Sequence, residues 1–268
     1  MPQVNMGRVL IIAGSDSGGG AGIQADIKSV TALGGFAATA ITALTAQNTL
    51  GVHGIHEVPP EFVTQQIEVV LADIGADAIK TGMLHRSEVL DAVIGALDRA
   101  GGGIPLVVDP VMVAKGGQSL LDEDTRAVVC QRLIPRAALL TPNVPEAEIL
   151  SGLTITDEAG MALAGRKLLA LGPGAVLMKG GHLPGGEVID LLLSDAGEER
   201  FTSPRIDSRH THGTGCTLAS AIACGLAQGL AIGRAVARAR DYVQTAIRTA
   251  PGLGRGHGPL NHGHTFSG

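Results

Sequence analysis

Short apolar runs of β-type residues alternate with longer helix-type stretches, and this alternation constrains the fold of the chain more than any other feature. The predicted strands are residues 8–13, 76–80, 104–109, 137–141 and 175–179. Such a pattern is typical of a mainly parallel sheet covered by helices on both faces. We therefore predict an α/β fold. No repeat, low-complexity linker or charge run divides the 268 residues, which favours one domain.

Turn and capping signals add detail to this outline. Helices are predicted over residues 61–72, which follow two prolines, and over residues 158–171, between Asp157 and the Gly172-Pro173 pair. Two pairs of β-type segments interrupt the alternation, and we interpret both as antiparallel additions. They are residues 36–44 with 52–58, a candidate flap over a site, and residues 188–194 with 200–203. The tail from residue 252 to 268 is predicted to be irregular.

Composition argues against several classes of protein. The 39 glycines show no period of three, unlike collagen, and 45% apolar with 17% charged residues is not the composition of a disordered chain. A net charge of -5 and 2% aromatic residues argue against a surface for nucleic acid. The three cysteines are widely spaced, which indicates a reducing compartment, and no secretory signal is visible at the N-terminus. We therefore expect a cytoplasmic protein.

Two uncharged stretches, residues 29–56 and 213–233, are long enough to be mistaken for membrane spans. Glycines and the Gln47-Asn48 pair break the first, and the second begins with turn residues and is rich in small side chains. A helix that is apolar nearly all round belongs in the interior of a soluble protein. The second stretch is therefore predicted to be a buried helix, and no membrane partner is expected.

A glycine-rich loop, residues 13–22, follows the first predicted strand. A Walker loop would need Lys and then Ser or Thr after its last glycine, and a dinucleotide loop would need an acidic residue between Asp26 and Glu57; the sequence has neither. We interpret the loop as one that lets the backbone approach a small ligand, with Asp26 as a polar partner. A tight turn with Asp26 as a helix-start charge is the alternative.

The strongest local motif is Thr-His-Gly-Thr-Gly-Cys-Thr at residues 211–217, which opens the uncharged helix. Successive backbone N–H groups at a helix start form an anion site, and the helix dipole adds to it. Cys216 lies in this positive end, so its thiol is expected to have a lowered pKa and to be a base or nucleophile. A small buried cysteine at a helix start is the alternative.

Polar side chains end three of the predicted strands: Asp109, then Asn143 with Glu146, then Lys179. Each alone could be a cap or a solvated turn. Together they suit Mg²⁺ and a polyphosphate, since Mg²⁺ is usually held by one or two carboxylates, waters and phosphates. Phosphoryl transfer is therefore the leading chemistry.

Other side chains have weaker signals. The side chain of Gln47, in the candidate flap, offers a donor and an acceptor that suit the edge of a heterocycle; a structural role in the turn is the alternative. Met83 could form an apolar wall for a flat ring. The spacing of the histidines near residues 210–212 and 257–264 matches no recognised ligand pattern, so no structural metal site is predicted.

Taken in order, these motifs resemble the hydroxymethylpyrimidine/phosphomethylpyrimidine kinases of thiamine biosynthesis, within the ribokinase-like fold. The resemblance covers almost the whole chain and runs through residues 13–26, 41–49, 80–84, 109–112, 141–143, 179–182 and 210–218. It implies a three-layer fold in one domain over residues 1–268, with a small β flap, and a homodimer. It also implies ATP-dependent phosphorylation of 4-amino-5-hydroxymethyl-2-methylpyrimidine and then of its monophosphate.

The resemblance also implies roles for single residues. The pyrimidine would be held by Asp26, Gln47, Met83 and Val111; Mg²⁺ by Asp109 and Glu146; the nucleotide phosphates by Asn143 and Lys179; and the anion hole would be formed by Gly213, Thr214 and Gly215. Cys216 stands where the sugar-kinase branch has Asp and would be the base. Arg240 departs from the Lys common in similar sequences. Alternatives are a pyridoxal or pyridoxine kinase and a non-catalytic pyrimidine-binding module.

Overall fold

The computed structural model describes residues 6–112 and 123–266, and a nine-stranded sheet runs through them. Its strands are β1 (Arg8–Asp16), β2 (Phe36–Asn48), β3 (Gly51–Glu57), β4 (Ala78–Thr81), β5 (Leu106–Val108), β6 (Leu139–Leu140), β7 (Ala175–Lys179), β8 (Glu187–Ser194) and β9 (Gly197–Pro204). The order across the sheet is β3-β2-β1-β4-β5-β6-β7-β8-β9. The strands from β2 to β7 are parallel, and the two edges are antiparallel.

Helices cover both faces of this sheet. They are α1 (Gly22–Ala32), α2 (Pro60–Asp73), α3 (Ser87–Ala100), α4 (Glu123–Val128), α5 (Val144–Ser151), α6 (Glu158–Leu169), α7 (Thr214–Ala227) and α8 (Ile232–Arg248). A π turn (Val129–Leu133) and a 3₁₀ turn (Ile134–Arg136) continue α4. Side chains of α1, α7 and α8 pack on one face, and those of α2, α3, α5 and α6 pack on the other. The predicted three-layer α/β fold is confirmed.

The central strand β1 shows why the sequence folds in this way. Leu10 and Ile12 point into one core and Val9 and Ile11 into the other, and all four are buried. A parallel strand with helices on both faces has no solvent side, so it reads as a continuous apolar run. The helix α7 is likewise buried along most of its length. Among the described residues, no helix is both long and apolar enough to cross a bilayer.

The interpretation of residues 36–44 as an antiparallel addition was wrong. This segment is the first part of β2, which pairs in parallel with β1, and only β3 runs antiparallel to it. The helix α1 supplies the crossover that a parallel pair requires. The second predicted pair is confirmed, because β8 and β9 form an antiparallel hairpin at the other edge of the sheet.

The tail contains no helix or strand within its described part, residues 252–266, yet it is packed against the rest of the chain. The backbone N–H of His257 donates to the carbonyl of Thr49 in the β2–β3 turn (3.0 Å). The N–H of His212 donates to the carbonyl of Gly258 (3.2 Å). The tail therefore joins the flap to the segment that precedes α7.

Candidate active site

The carboxyl ends of the parallel strands open into a cavity of about 590 Å³. The predicted site residues that line it are Gln47, Met83, Asp109, Val111, Asn143, Glu146, Lys179, Gly213, Thr214, Gly215 and Cys216. Asp26 instead lies behind the lining, where it is fully buried. Open α/β sheets bind ligands at this edge, outside the carboxyl ends of the strands.

A lysine between two carboxylates forms part of the cavity wall. The Nζ atom of Lys179, at the end of β7, lies 3.0 Å from Oδ1 of Asp109 and 3.9 Å from Oε2 of Glu146. Thr141 Oγ1 also donates to Oδ1 of Asp109 (3.2 Å). Burial acts to lower the pKa of Lys179, but the charges of Asp109 and Glu146 outweigh it and raise that pKa. The ammonium group therefore stays charged.

Asn143 and Glu146 form a capping box at the start of α5. The side-chain oxygen of Asn143 accepts from the N–H of Glu146 (2.9 Å), and Oε2 of Glu146 accepts from the N–H of Asn143 (2.8 Å). This pairing fixes both side chains at the cavity edge. Burial raises the pKa of Glu146 to about 7, although the charge of Lys179 opposes the shift.

The start of α7 is shaped by glycines. Gly213 has a φ of 83°, and a Cβ added there would lie 1.8 Å from the carbonyl oxygen of Gly20, so only glycine fits against the loop that follows β1. A Cβ added at Gly215 would lie 3.3 Å from Nζ of Lys179. The helix start therefore faces the lysine and its carboxylates directly, as an anion site between strand ends would.

The expectation of a lowered pKa at Cys216 was wrong. Burial raises the pKa of this thiol to about 11, and the charge of Lys80, which acts in the opposite direction, does not compensate. A helix N-terminus favours a thiolate, but the acidic groups of Asp26 and Asp109 also disfavour a further negative charge here. Cys216 is therefore a neutral thiol at pH 7 in the free protein.

Asp26 binds a buried lysine, which differs from its predicted role as a pyrimidine ligand. Both of its carboxylate oxygens lie 2.9 Å from Nζ of Lys80, and Ser220 Oγ donates to Oδ1 (2.7 Å). Lys80 and Asp26 are fully buried, and Lys80 contributes to the cavity wall. A buried charge needs a partner, so Asp26 is committed to Lys80. Ser220 is one turn after Cys216 on α7, which brings this ion pair near the thiol.

Two residues that the sequence did not single out as ligands, His212 and Ser17, contact Gln47, and a third, Asp16, holds His212. Nε2 of His212 lies 2.9 Å from Oδ2 of Asp16 and 3.3 Å from the Gln47 amide. Ser17 Oγ bonds both the carbonyl of Gln47 (2.9 Å) and its N–H (2.8 Å). His212 belongs to the motif before α7, but its partner Asp16 is 196 residues away in the chain, so no local pattern connects them.

Arg240, which also lines the cavity, has a structural partner. Its Nη1 bonds Asp190, whose other carboxylate oxygen accepts from the N–H of Gly180 (2.8 Å), and its Nη2 donates from 2.9 Å to Ser203 Oγ. Arg240 therefore supports the turn after Lys179. The apolar part of the lining near it is formed by Val188, Ile206, Val243 and Ile247.

These groups are of the kind that holds and transfers phosphate: paired carboxylates, lysines and a helix start lined by glycine, at the carboxyl edge of a parallel sheet. Together with the three-layer fold, they define a small-molecule kinase of the ribokinase-like class.

The chain belongs to the phosphomethylpyrimidine kinase family, whose model matches residues 16–261. It is 47% identical to the hydroxymethylpyrimidine/phosphomethylpyrimidine kinase of Bacillus subtilis, over 95% of this chain and 94% of that protein. It is 56% identical to the thiamine biosynthesis bifunctional protein of Geobacter sulfurreducens, over 96% of this chain. The match covers 52% of the Geobacter protein, so the chain spans about half the length of that relative.

Two solved structures are also similar. The phosphomethylpyrimidine kinase of Clostridium difficile has a TM-score of 0.80 at 41% identity, over 90% of this chain and 99% of that one. The pyridoxal kinase of Staphylococcus aureus in complex with ADP has a TM-score of 0.90 at 32% identity, over 98% and 95%. The fold is therefore shared by kinases with two kinds of ring substrate.

Proposed function

We propose that this chain transfers the γ-phosphoryl group of ATP to the hydroxymethyl group of 4-amino-5-hydroxymethyl-2-methylpyrimidine, and then phosphorylates the monophosphate. The observation that carries the proposal is the layout of the cavity. An amide and two apolar side chains, those of Gln47, Met83 and Val111, line the same cavity as Lys179 and its two carboxylates. A flat polar ring and a polyphosphate would thus meet at the anion site beside Gly213.

The donor set fits Mg²⁺. Asp109 and Glu146 supply two carboxylates beside one ammonium group, and no third His, Cys, Asp or Glu joins a metal-holding cluster in the part of the chain that the structure describes. A site with so few carboxylates suits a cation whose remaining ligands are water and phosphate oxygens. When bound, Mg²⁺ supplies neutralisation of charge on the nucleotide phosphates. Asp109 and Glu146 would hold it, directly or through water.

The nucleotide would occupy the rest of the cavity. The side-chain oxygen of Asn143 is committed to the helix cap, so its NH₂ group is the part that could donate to a phosphate. Lys179 would donate a hydrogen bond to the transferring phosphoryl group. The N–H groups at residues 213–215 would stabilise the negative charge that develops on this group in the transition state. The apolar surface of Val188, Ile206, Val243 and Ile247 suits an adenine ring.

Cys216 would act on the acceptor. A thiolate could take the proton of the alcohol in the first step, whereas a substrate phosphate needs little deprotonation in the second. Because the thiol is neutral in the free protein, this role requires the pKa of Cys216 to fall when ligands bind or the pH to rise. The other role is to shape the anion site without moving a proton.

Coupled ATP consumption with the pyrimidine alcohol, its monophosphate and pyridoxal tests this function. We expect the highest kcat/KM for the two pyrimidines. Pyridoxal is the second candidate substrate because the similar Staphylococcus structure is a pyridoxal kinase. A clear preference for pyridoxal would refute the leading proposal, and binding without turnover of any substrate would favour a pyrimidine-binding module.

We also propose a homodimer in the cytoplasm. Exposed apolar side chains on the flap and on α2, including Leu44, Leu50, Phe62 and Val69, support a partner surface. The free thiols of Cys130, Cys216 and Cys224 suit a reducing compartment. Sedimentation of the purified chain would measure the mass of the assembly, and a monomer at micromolar concentration would contradict the dimer.

A further inference from the structure

The hydrogen-bond partners of Gln47 determine which way its amide points. The structure places the amide nitrogen 3.3 Å from Nε2 of His212 and the amide oxygen 3.1 Å from Oγ1 of Thr45. The nitrogen and oxygen of an amide have nearly the same shape, so their assignment, including a reversal of this placement, follows from which neighbour donates and which accepts. Asp16 decides the role of His212, and Ser15 decides that of Thr45.

Asp16 requires His212 to donate. Its Oδ2 also accepts from the N–H groups of Ala21 (2.8 Å) and Gly20 (3.1 Å), and its Oδ1 accepts from Gly18 (2.8 Å), so the carboxylate is surrounded by donors. Burial acts to raise the pKa of Asp16, but the hydrogen bonds from His212 and these amides lower it, which keeps the group an anion that only accepts. Nε2 of His212 must therefore carry a hydrogen, whether the ring is neutral or charged.

Thr45 is an acceptor toward the amide for a similar reason. A hydroxyl has one hydrogen, and Thr45 Oγ1 lies 2.9 Å from the carbonyl oxygen of Ser15, which can only accept. With that hydrogen committed, the lone pairs of Oγ1 face the Gln47 amide. An amide nitrogen beside His212 would meet a protonated Nε2 that has no lone pair to accept from it, and an amide oxygen beside Thr45 would meet a hydroxyl whose only hydrogen is committed to Ser15.

We propose that Asp16, His212 and Thr45 hold the Gln47 amide with its oxygen toward His212 and its NH₂ group toward Thr45, and that this direction selects a 4-aminopyrimidine in its productive orientation. The inference rests on the proposed function. The Ser17 hydroxyl is bonded to both backbone polar groups of Gln47 and so anchors the backbone from which the amide extends.

The consequence for the substrate follows from its chemistry. A 4-aminopyrimidine offers a ring-nitrogen acceptor next to an amino donor, which matches the NH₂ and oxygen of one amide. The amino group must then lie on the His212 side. Its neighbour on the ring is the hydroxymethyl group, which therefore lies toward Gly213 and the anion site. With the reversed amide, the ring would bind the other way round, and its hydroxymethyl group would point away from the anion site. Pyridoxal has a ring nitrogen flanked only by carbon, so it cannot form the same pair of bonds.

A comparison of two substrates tests the proposal. The first is the pyrimidine alcohol, and the second is the same molecule without its 4-amino group. In the wild type, we expect loss of the amino group to lower kcat/KM about tenfold or more, the scale of one well-placed hydrogen bond. In His212→Phe and Thr45→Val, we expect about tenfold lower kcat/KM for the aminated substrate, little further loss for the other, and an unchanged KM for ATP.

Thr45→Ser is the matched control, because it keeps the hydroxyl and should keep the discrimination. Variants that lower kcat/KM for both substrates equally, or that raise the KM for ATP as much, would show a merely structural role and overturn the proposal. Nitrogen-15 NMR of the histidines in the wild-type protein is independent of turnover. It should show a hydrogen on Nε2 of His212, and a bare Nε2 would overturn the argument. If the wild type phosphorylates neither pyrimidine while Nε2 is protonated, the proposed function fails and the amide direction stands.

Discussion

The Nζ atom of Lys179 lies 3.0 Å from Oδ1 of Asp109, so a cation at the end of β7 neutralises an anion that follows β5, across the intervening strand β6. Because each charge has a partner, both groups can stay ionised at the cavity wall before any ligand binds. It also gives the first prediction.

Lys179→Met should lower kcat/KM by about 10² to 10³, the usual cost of one donor lost from a site that stabilises transition-state charge. The substitution also leaves Asp109 and Glu146 near each other without their shared cation. Coupled ATP consumption measures the effect. Lys167→Met, at an exposed position of α6, is the control and should retain activity. Equal activity of the two variants would exclude Lys179 from phosphoryl transfer.

If Cys216 is the base for the alcohol, kcat/KM should rise about tenfold per pH unit between pH 7 and 10. The reason is that the pKa of the free-enzyme thiol is raised to about 11, so the thiolate fraction grows through this range. Cys216→Ala should lower kcat by at least about 10²-fold and abolish the slope. Cys130→Ala, which removes a thiol elsewhere, should change neither. A flat wild-type profile with near-normal turnover of Cys216→Ala would show that the anion site alone suffices.

Gly213→Ala should lower kcat/KM by more than about 10²-fold, by the scale for a displaced transition-state donor. An added Cβ would lie 1.8 Å from the carbonyl oxygen of Gly20, so either the loop or the start of α7 must move. Gly229→Ala separates this clash from backbone strain, because Gly229 has nearly the same φ, 85°, with nothing within 4 Å. It should cost about 1–2 kcal/mol of stability and leave kcat/KM unchanged. Similar activity losses in both would refute the steric argument.

Titration of His262 should lower the free energy of unfolding of the wild type, relative to that of His262→Gln, as the pH drops from about 6.5 to 4. The comparison is needed because Glu146, whose pKa is raised to about 7, acts in the opposite direction over this range. Burial, with smaller effects of Lys28 and His264, lowers the pKa of His262 from 6.5 to about 4. The unfolded chain therefore binds the proton first, so the stabilisation is present above the unfolded pKa and is lost as the pH falls. The full loss is about 3–4 kcal/mol, since each pH unit between the two pKa values corresponds to about 1.4 kcal/mol.

Urea unfolding of His262→Gln and of the exposed control His53→Gln would check this dependence. Between pH 6.5 and 4, the first should lack the loss of stability that His262 causes, and the second should follow the wild type. The stability of His262→Gln at pH 7 must also be compared with that of the wild type. The substitution removes the hydrogen bond between His262 and Thr217 Oγ1 (2.9 Å), which lowers stability independently of pH. A stability difference between the wild type and His262→Gln that stays constant over this range would contradict the assignment.

The sequence predicts the position of the site better than the chemistry of its side chains. Asp109 and Lys179 could be placed together because parallel strands end at one edge of a sheet. The partner of Asp26 could not be predicted, since Lys80 is 54 residues away and only the fold brings them together. The pKa of Cys216 was misjudged for a related reason: a helix start is visible in the sequence, but the burial that outweighs its dipole is not.

The strands show the same difference between what a local sequence pattern predicts and what only the fold determines. The run that becomes β7 was predicted with its correct bounds, because buried parallel strands are continuously apolar. The pairing of β2 was misjudged, since a β-type pattern identifies a strand but not the direction of its neighbour. The predicted strand at residues 137–141 shortens to β6 (Leu139–Leu140), where pairing with both neighbours is limited to one or two residue positions.

The tail hydrogen bonds give the far end of the described chain a mechanical connection to the reaction. His257 bonds the Thr49 carbonyl of the flap, and Gly258 bonds the backbone of His212, beside the anion site. A flap that lifts to admit a ring must therefore either carry the tail with it or break these bonds. The position of the β2–β3 turn at the cavity is thus tied by backbone hydrogen bonds to a tail, residues 252–266, that contributes no side chain to the cavity lining.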